Sequence, residues 1–296
     1  MGEVLVKPEW LKIRPAAGTD FSVIKSALRT RGLVTVCEES HCPNMAECWH
    51  KEGTATFMVM GDTCTRGCKF CAVKTSSKGQ PLDSEEPKKL AEAIAEMKLD
   101  YAVITSVDRD DLPDQGSKHF AACIKAIKEA HPRTFVEVLT PDFKGDEECI
   151  KRIVKARPDV FAHNIETVKE LQNKVRDPRA GYEQSISVLR KVKEIDPSVK
   201  TKSAIIVGFG ETREQVIQSM QDLRSADCDI LTIGQYLKPK TKFLPVTEYV
   251  TPETFKFYKN TGEDLGFLYV ASGPFVRSSY RAGEFFMKKI LEVRAF

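Results

Sequence analysis

Two groups of three cysteines carry most of the chemistry that this sequence offers. The chain has nine cysteines, and six of them fall within 35 residues. They are Cys37, Cys42 and Cys48 in the first triplet and Cys64, Cys68 and Cys71 in the second triplet. A closed zinc site or a closed cubane iron–sulfur cluster takes four protein ligands. A triplet therefore either takes a ligand from elsewhere or leaves one metal position open, and chemistry occurs at an open position.

The second triplet lies on one short loop, with spacings of three and then two residues between its cysteines. Gly67 permits a tight turn because it has no Cβ, and Phe70 adds an aromatic ring beside the last ligand. Residues 54–60 form an apolar, β-branched run that predicts a strand directly before the loop. The ligands would then follow the carboxyl end of a strand, where β/α barrels carry their sites. A zinc knuckle, or a disulfide with a spare thiol, is less consistent with this spacing, since zinc motifs usually contain two C-x-x-C halves.

Strand-like runs alternate with amphipathic helical segments from residue 54 onward. The predicted strands are 54–60, 101–105, 134–139, 159–165, 203–207 and 229–233, and the predicted helices are 85–98, 117–131, 145–156, 182–195 and 212–226. Such alternation predicts an α/β fold with a parallel sheet, because parallel neighbours need crossover connections. Six strands are too few for a closed eight-stranded barrel, so we expect an open, partial (β/α)6 barrel of TIM type. Residues 51–270 would form it, with an N-terminal extension over 1–50 and a C-terminal tail over 271–296.

Composition narrows the classes of partner. The chain has 45 basic and 42 acidic residues among 296, a net charge of +3. This balance does not indicate the strongly basic surface that binds nucleic acid. No run approaches the roughly 18 apolar residues of a membrane span. The first twenty residues lack the apolar core of a secretory signal, and they are too acidic and serine-poor for a mitochondrial presequence. We therefore expect a cytoplasmic protein without nucleic-acid or membrane partners, whose cysteines bind metal rather than form disulfides.

Three motifs together resemble one enzyme family. The pattern C-x-x-x-C-x-aromatic-C after a first barrel strand is typical of radical S-adenosylmethionine enzymes. Together with the C-x4-C-x5-C triplet upstream and with Arg277-Ser-Ser-Tyr280 near the end, the sequence resembles the lipoyl synthases of that superfamily. Further matching segments are 105–112, 163–166, 201–203, 234–237 and 244–246. Ala204 departs from the family pattern, where glycine is expected.

The resemblance implies roles for both triplets. Cys64, Cys68 and Cys71 would hold a 4Fe–4S cluster whose fourth iron chelates S-adenosylmethionine, and the cofactor would then yield a 5′-deoxyadenosyl radical. Polar residues at strand ends are the candidates to bind S-adenosylmethionine. They are Thr105, Asn164, Glu166 and Lys202.

The first triplet would hold an auxiliary 4Fe–4S cluster, with Ser279 as its fourth ligand. This cluster would donate two sulfur atoms to C6 and C8 of an octanoyl chain on a lysine of a lipoyl carrier domain or H protein. An oxygen ligand is harder than thiolate, so its bond to iron would be the most labile. Other implied partners are an electron donor such as ferredoxin or flavodoxin, and an iron–sulfur carrier. The remaining cysteines, Cys123, Cys149 and Cys228, are predicted to be small buried hydrophobes.

Other functions remain open at this point. The chain could be another sulfur-inserting radical enzyme, such as a methylthiotransferase or a biotin synthase, or a two-cluster electron carrier without a substrate. The first triplet could also be a structural zinc site completed by His41. Metal analysis distinguishes these cases, because two 4Fe–4S clusters require about eight irons per chain and one cluster about four.

The two triplets predict a division of labour that mutation can separate. Cys68→Ala should abolish reductive cleavage of S-adenosylmethionine, because the cube loses one of three protein ligands. Cys42→Ala should leave cleavage largely intact and stop sulfur insertion. Chromatography of 5′-deoxyadenosine and mass spectrometry of the acyl product measure the two activities. A Cys42→Ala variant that still formed the lipoyl product would contradict the auxiliary cluster as the sulfur donor.

Overall fold

A single curved sheet forms the centre of the molecule. The computed structural model describes residues 5–12, 28, 30–39 and 55–279. The strands are β1 Val34–Thr35, β2 Ala55–Val59, β3 Thr63–Cys64, β4 Lys74–Thr75, β5 Tyr101–Ser106, β6 Phe135–Leu139, β7 Val160–Ala162, β8 Lys200–Val207, β9 Ile230–Gln235 and β10 Tyr269–Gly273. Eight of them form the main sheet in the order β1-β2-β5-β6-β7-β8-β9-β10. β1 is antiparallel to β2, and all other neighbours in this sheet are parallel.

Helices connect the parallel strands. They are α1 Val36–Glu39, α2 Glu86–Glu96, α3 Ser117–Ala130, α4 Glu147–Lys155, α5 Gln172–Val175, α6 Tyr182–Ile195, α7 Arg213–Ser225 and α8 Pro252–Asp264, with short 3-10 turns at Glu9–Leu11, Phe143–Gly145 and Lys169–Leu171. Each of α2, α3, α4, α6, α7 and α8 follows a parallel strand and leads to the next. Within the described residues the sheet has two unpaired ends, β1 and β10, so the barrel is open. The predicted partial barrel of six β/α units is confirmed.

The last unit, α8 and β10, was not predicted from the sequence. β10 is only partly buried. Its sequence does not contain the continuous apolar run that predicts a central strand. It adds a seventh parallel strand and spans the expected boundary between residues 270 and 271. Helix α8 does carry a start signal, since Thr251 accepts a hydrogen bond from the Thr254 N–H and Pro252 occupies the first turn.

Two apolar clusters lie between the sheet and the helices, as expected for side chains that alternate between the two faces of each strand. The first includes Phe57 of β2 and Phe120 of α3, and the second includes Ile233 of β9 and Phe255 of α8. Cys123, Cys149 and Cys228 belong to these clusters and are buried, which confirms the prediction that they pack as small apolar residues. No helix in the described part of the chain is long and apolar enough to cross a membrane.

The interior of the barrel is closed at the amino ends of the strands. Tyr101 and other apolar side chains from β5, β6, β7, β9 and β10 fill this floor. A buried ion pair lies among them: Lys202 Nζ donates to both carboxylate oxygens of Glu137 at 2.8 and 2.9 Å. The hydroxyl of Tyr101 donates to the same carboxylate at 2.5 Å. Because these polar groups form hydrogen bonds and an ion pair with one another, the floor can be closely packed and exclude water.

Candidate active site

One pocket opens at the carboxyl ends of the parallel strands, above the floor. Its volume is about 520 Å³, within the usual range for small-molecule sites. The loop of the second triplet forms one side, and the segments that follow β5, β6, β7 and β9 form others. Residues 276–279 contribute the last part of the wall. This is the end of the barrel at which the sequence predicted the site.

The three thiols of the second triplet line this pocket together. Cys64, Cys68 and Cys71 are free cysteines. The N–H of Arg66 donates to Cys64 Sγ at 3.4 Å, and the N–H of Asp177 donates to Cys68 Sγ at 3.3 Å. Such N–H···S bonds also stabilise cluster-bound thiolates. Three convergent thiols on one loop, open to the pocket on the remaining side, fit a 4Fe–4S cluster with one iron free of protein ligands.

Burial keeps these thiols protonated until a metal binds. It raises the pKa of Cys64 and of Cys71 to about 12, and it raises the pKa of Cys68 as well. The three thiols are therefore uncharged without a metal, and cluster binding must release their protons because thiolate is the form that ligates iron.

Arg66 fixes the loop from inside. Its guanidinium is 3 % exposed and forms two forked pairs. It donates to Asp110 at 2.8 and 2.9 Å and to Asp142 at 2.7 and 2.8 Å. Burial would raise the pKa of Asp142, but Arg66 outweighs burial and lowers it to about 2. The stability that this pair contributes is thus complete above the ordinary pKa of 3.8 and is lost as pH falls towards about 2.

A second set of bonds holds the other side of the loop to the segment after α5. Asp177 accepts the N–H of Gly67 at 2.8 Å and the Nε–H of Arg179 at 2.8 Å. Arg179 also donates to the carbonyl of Thr65 at 2.7 Å, and the N–H of Lys69 donates to the Val175 carbonyl at 2.9 Å. The backbone of the loop is therefore fixed on two sides, which preorganises the three thiols.

The entry into the loop has its own support. Met60, the residue after β2, adopts a positive φ of 67°, which is unusual for a residue with a side chain. Its N–H donates to Glu86 Oε2 at 3.0 Å, and His119 Nε2 lies 2.5 Å from the same oxygen. Cys123 lies beside this pair, and the ligand atoms of the three residues are within 4.8 Å of one another. Because the carboxylate already binds Met60 and His119, the geometry identifies it as an anchor of the turn.

Several buried polar atoms in the pocket wall lack a hydrogen-bond partner among the described residues. They are Ser106 Oγ, Asn164 Oδ1, Arg176 Nε and Thr232 Oγ1. A buried polar group without a partner is costly, so these atoms indicate a polar ligand. Glu166 faces the same space: it accepts a bond from Asn164 Nδ2 at 3.1 Å, and burial raises the pKa of its carboxyl group. The arrangement fits a nucleoside better than a purely apolar ligand.

The residues predicted to bind S-adenosylmethionine divide into two places. Thr105, Asn164 and Glu166 line the pocket, although the Thr105 hydroxyl already donates to the Leu139 carbonyl at 2.9 Å. Lys202 does not line it and lies in the floor, paired with Glu137. The predicted strand began at residue 203, which put Lys202 outside the strand. The observed strand begins at Lys200, so Lys202 lies near its amino end and points away from the site.

Sequence reasoning did not single out several polar residues of the pocket wall, among them Ser106, Asp108, Arg176 and Thr232. Ser106 and Asp108 could have been found, because they follow Thr105 at the end of the same strand. Arg176 lies beyond the short helix α5, and Thr232 lies within the apolar run of β9, so neither carried a recognisable signal.

Ser279 is the described member of the predicted auxiliary site. It lines the pocket and accepts a hydrogen bond from Thr56 Oγ1 of β2 at 2.9 Å. Cys42 and Cys48 lie outside the described residues, as does the side chain of Cys37. The backbone of α1 is described, and Val36, the residue before Cys37, lines the same pocket. The second-triplet loop, the residue before the first triplet and Ser279 therefore line one cavity.

Arg66 generates a testable prediction. Arg66→Lys should lower the free energy of unfolding by about 3 kcal/mol, because one ammonium cannot replace two forked pairs and leaves a buried carboxylate unpaired. It should also lower the iron retained after anaerobic reconstitution, since the loop loses its inner anchor. Denaturant unfolding and iron analysis measure both effects. Lys69→Gln removes a charge from an exposed position of the same loop and should change neither; equal effects of the two variants would contradict the anchor.

Comparison with known proteins places the chain in a family. The family "Radical SAM superfamily" matches residues 58–223, more than half of the chain, including the second-triplet loop. The mitochondrial lipoyl synthase of Aedes aegypti is 58 % identical over 97 % of this chain and 74 % of its own length. The mitochondrial lipoyl synthases of Bos taurus and Homo sapiens are 53 % and 52 % identical over 99 % of this chain and 80 % of theirs.

These relatives correct the predicted compartment. They are named mitochondrial, which points to the mitochondrion rather than the cytoplasm, so the cytoplasmic prediction is wrong. It rested on the first twenty residues, which lack the apolar core of a secretory signal and are too acidic and serine-poor for a typical presequence. The names of the relatives overturn that reading of the composition.

Solved structures support the fold. Methylornithine synthase shares a TM-score of 0.56 at 14 % identity over 93 % of both chains. The hydrogenase maturase HydG of Carboxydothermus hydrogenoformans gives 0.56 at 12 % identity over 93 % of this chain and 78 % of its own. At such low identity the likeness concerns the barrel alone, whereas the sequence relatives match nearly the whole chain. On this evidence the chain belongs to the lipoyl synthase family of the radical S-adenosylmethionine superfamily.

Proposed function

We propose that this chain inserts two sulfur atoms, at C6 and C8, into an octanoyl chain carried on a lysine of a lipoyl carrier protein. It is a sulfur-transferring radical S-adenosylmethionine enzyme, as its family membership establishes. One observation carries the finer proposal: the three-thiol loop, the residue before Cys37 and Ser279 all line a single pocket. A radical generated at the loop and a sulfur source elsewhere in the same pocket would both reach one acyl chain bound there.

Cys64, Cys68 and Cys71 would hold the cluster that, when bound, supplies the electron for cleavage of S-adenosylmethionine. The chain itself fixes the loop through Arg66 and Asp177 and limits access of water. Apolar side chains contribute most of the lining, among them Met58, Phe70 and Ile206. A reactive radical needs such an enclosure, because it would otherwise react with solvent or with protein groups.

The polar wall would bind S-adenosylmethionine. Ser106, Asn164 and Thr232 offer buried atoms without partners among the described residues, and these are suited to the hydroxyl and base nitrogen groups of a nucleoside. Thr105 and Glu166 would line the same binding site for S-adenosylmethionine. Arg176 lies close enough for its positive charge to oppose the rise in the pKa of Cys68 that burial causes. We assign to Arg176 the attraction of the carboxylate group of S-adenosylmethionine towards the iron that has no protein ligand.

Cys37, Cys42, Cys48 and Ser279 would hold the auxiliary cluster, the proposed source of sulfur. Support comes from the position of the half-buried Ser279 hydroxyl in the pocket and from the closeness of Val36 to the same wall. The octanoylated carrier domain or H protein, the electron donor and an iron–sulfur carrier that restores the cluster are the partners that this chemistry requires. A two-cluster electron carrier would not need a 520 Å³ cavity between its clusters.

The decisive experiment uses the reconstituted enzyme under anaerobic conditions. It is incubated with S-adenosylmethionine, a reductant and an octanoylated carrier peptide, and the peptide is analysed by mass spectrometry. We expect a product that carries two added sulfur atoms and an iron content of about eight per chain. Formation of 5′-deoxyadenosine without any sulfur in the peptide, at full iron content, would contradict the proposed function.

Ser279 offers the sharpest test of the auxiliary site. Ser279→Ala removes the oxygen ligand, and Ser279→Cys supplies a softer, stronger ligand that resists release. Both variants should cleave S-adenosylmethionine and accumulate 5′-deoxyadenosine with little doubly thiolated product. Ser278→Ala is the matched control and should retain turnover. If Ser279 only capped a following helix, the alanine variant would lose about 1 kcal/mol of stability and keep its activity; near-normal product from the folded variant would exclude the ligand role.

A further inference from the structure

The open side of the barrel is crossed by residues 274–279, which we call the strap. The strap begins where β10 ends, and the N–H of Val276 donates to the Gly273 carbonyl at 3.1 Å to form a turn. Arg277 Nη1 donates to the Val276 carbonyl at 2.7 Å, within the same segment. The strap ends, in the described residues, with Ser279 bound to Thr56 of β2. It therefore links the last parallel strand to the first, on the open side of the barrel, where β1 and β10 are the free edges of the described sheet.

Gly234 of β9 lies directly against the backbone of the strap, and we call this contact the seat of the strap. A Cβ at this position would lie 2.0 Å from the Val276 carbonyl oxygen and 3.0 Å from its carbonyl carbon. The obstructing atoms are backbone atoms, so a side chain at position 234 could not be accommodated by a rotamer change. Gly234 does not have a positive φ, so its backbone conformation does not require glycine. Close approach of the strap is the physical reason for glycine here.

The neighbouring strand continues this flat surface. Gly273 of β10 is paired with Gly234, and a Cβ on Gly273 would lie 3.4 Å from Val276 Cγ2, an ordinary contact. Val276 therefore rests on two adjacent glycines, but only at Gly234 would an added Cβ collide with its backbone. The strap can approach the barrel interior at this point because both positions lack side chains.

Thr56 determines the other end of the strap. Its side chain is 5 % exposed and faces the pocket from the first parallel strand. Its hydroxyl donates to Ser279 Oγ at 2.9 Å, so it both directs the serine oxygen and leaves that oxygen a lone pair for another group. Valine has nearly the same shape but cannot donate this bond, and serine can.

We propose that Gly234 and Thr56 are positioning residues that hold Ser279 at the pocket wall, Gly234 by seating the strap and Thr56 by directing the serine hydroxyl. This inference rests on the proposed function, since it gives the Ser279 position a role in sulfur insertion. It assigns neither residue to cleavage of S-adenosylmethionine, because the second-triplet loop is anchored separately through Arg66 and Asp177.

Gly234→Ala tests the seat. Gly181→Ala is the matched control, because Gly181 has an ordinary φ of −88° and its added Cβ would make only ordinary contacts. Hydrogen exchange of the full chain, read by mass spectrometry, should show faster exchange at 274–279 in Gly234→Ala and not in the control. The yield of doubly thiolated product per 5′-deoxyadenosine should fall about 100-fold, the scale of a displacement near 1 Å. A loss of both activities together would indicate general destabilisation and would contradict the positioning role.

Two further variants, Thr56→Val and Thr56→Ser, test the hydrogen bond that Thr56 donates to Ser279. The valine variant should keep cleavage of S-adenosylmethionine and lose about tenfold in sulfur insertion, as expected for one hydrogen bond; the serine variant should restore it. Unchanged exchange at 274–279 in Gly234→Ala would overturn the seat, whatever the activity. Altered exchange with normal sulfur insertion would overturn the positioning role. If the unmutated enzyme itself makes no thiolated product, the proposed function fails, and the exchange result still decides the seat.

Discussion

The buried fork of Arg66 is the interaction on which the site depends. A loop with three thiols has little apolar surface of its own, and the packing of Phe70 beside Phe209 is not enough to hold it. Arg66 instead enters the protein between Asp110 and Asp142, which belong to the loops after two different strands. A buried guanidinium is costly unless each of its charged donors is paired. The loop is therefore held in one arrangement, and the same requirement fixes the ends of β5 and β6 relative to each other.

The openness of the barrel is the second constraint. A closed barrel would leave no gap between its first and last strands, and its interior would be filled with side chains. Here the interior is filled only at the floor, where Glu137 and Lys202 neutralise each other among apolar side chains. Above the floor, the strap crosses the open side of the barrel, where β1 and β10 are the free edges of the described sheet. Ser279 can then reach the interior and lie in the same cavity as the second-triplet loop.

Much of the site was predictable because cysteine spacing is a local property. Cys64, Cys68 and Cys71 belong to one loop, so their convergence follows from chain length alone, and the strand before them is readable from its apolar pattern. Asn164 and Glu166 were predictable as polar residues at a strand end. Lys202 was not placed correctly, because its position depended on where β8 begins, and strand boundaries are the least certain part of a sequence prediction.

Sequence alone determined the two cysteine triplets, the alternation of strands and helices, and with them a partial barrel that carries an iron–sulfur loop at its carboxyl end. These features are local patterns of spacing and polarity, which the chain carries whatever its tertiary contacts. Only the tertiary structure decided that Arg66 binds two distant carboxylates, that Lys202 faces Glu137 rather than the pocket, and that Val276 rests on Gly234. Each of these depends on residues far apart in the chain, and their contact is set by strand order and register rather than by any pattern along the sequence.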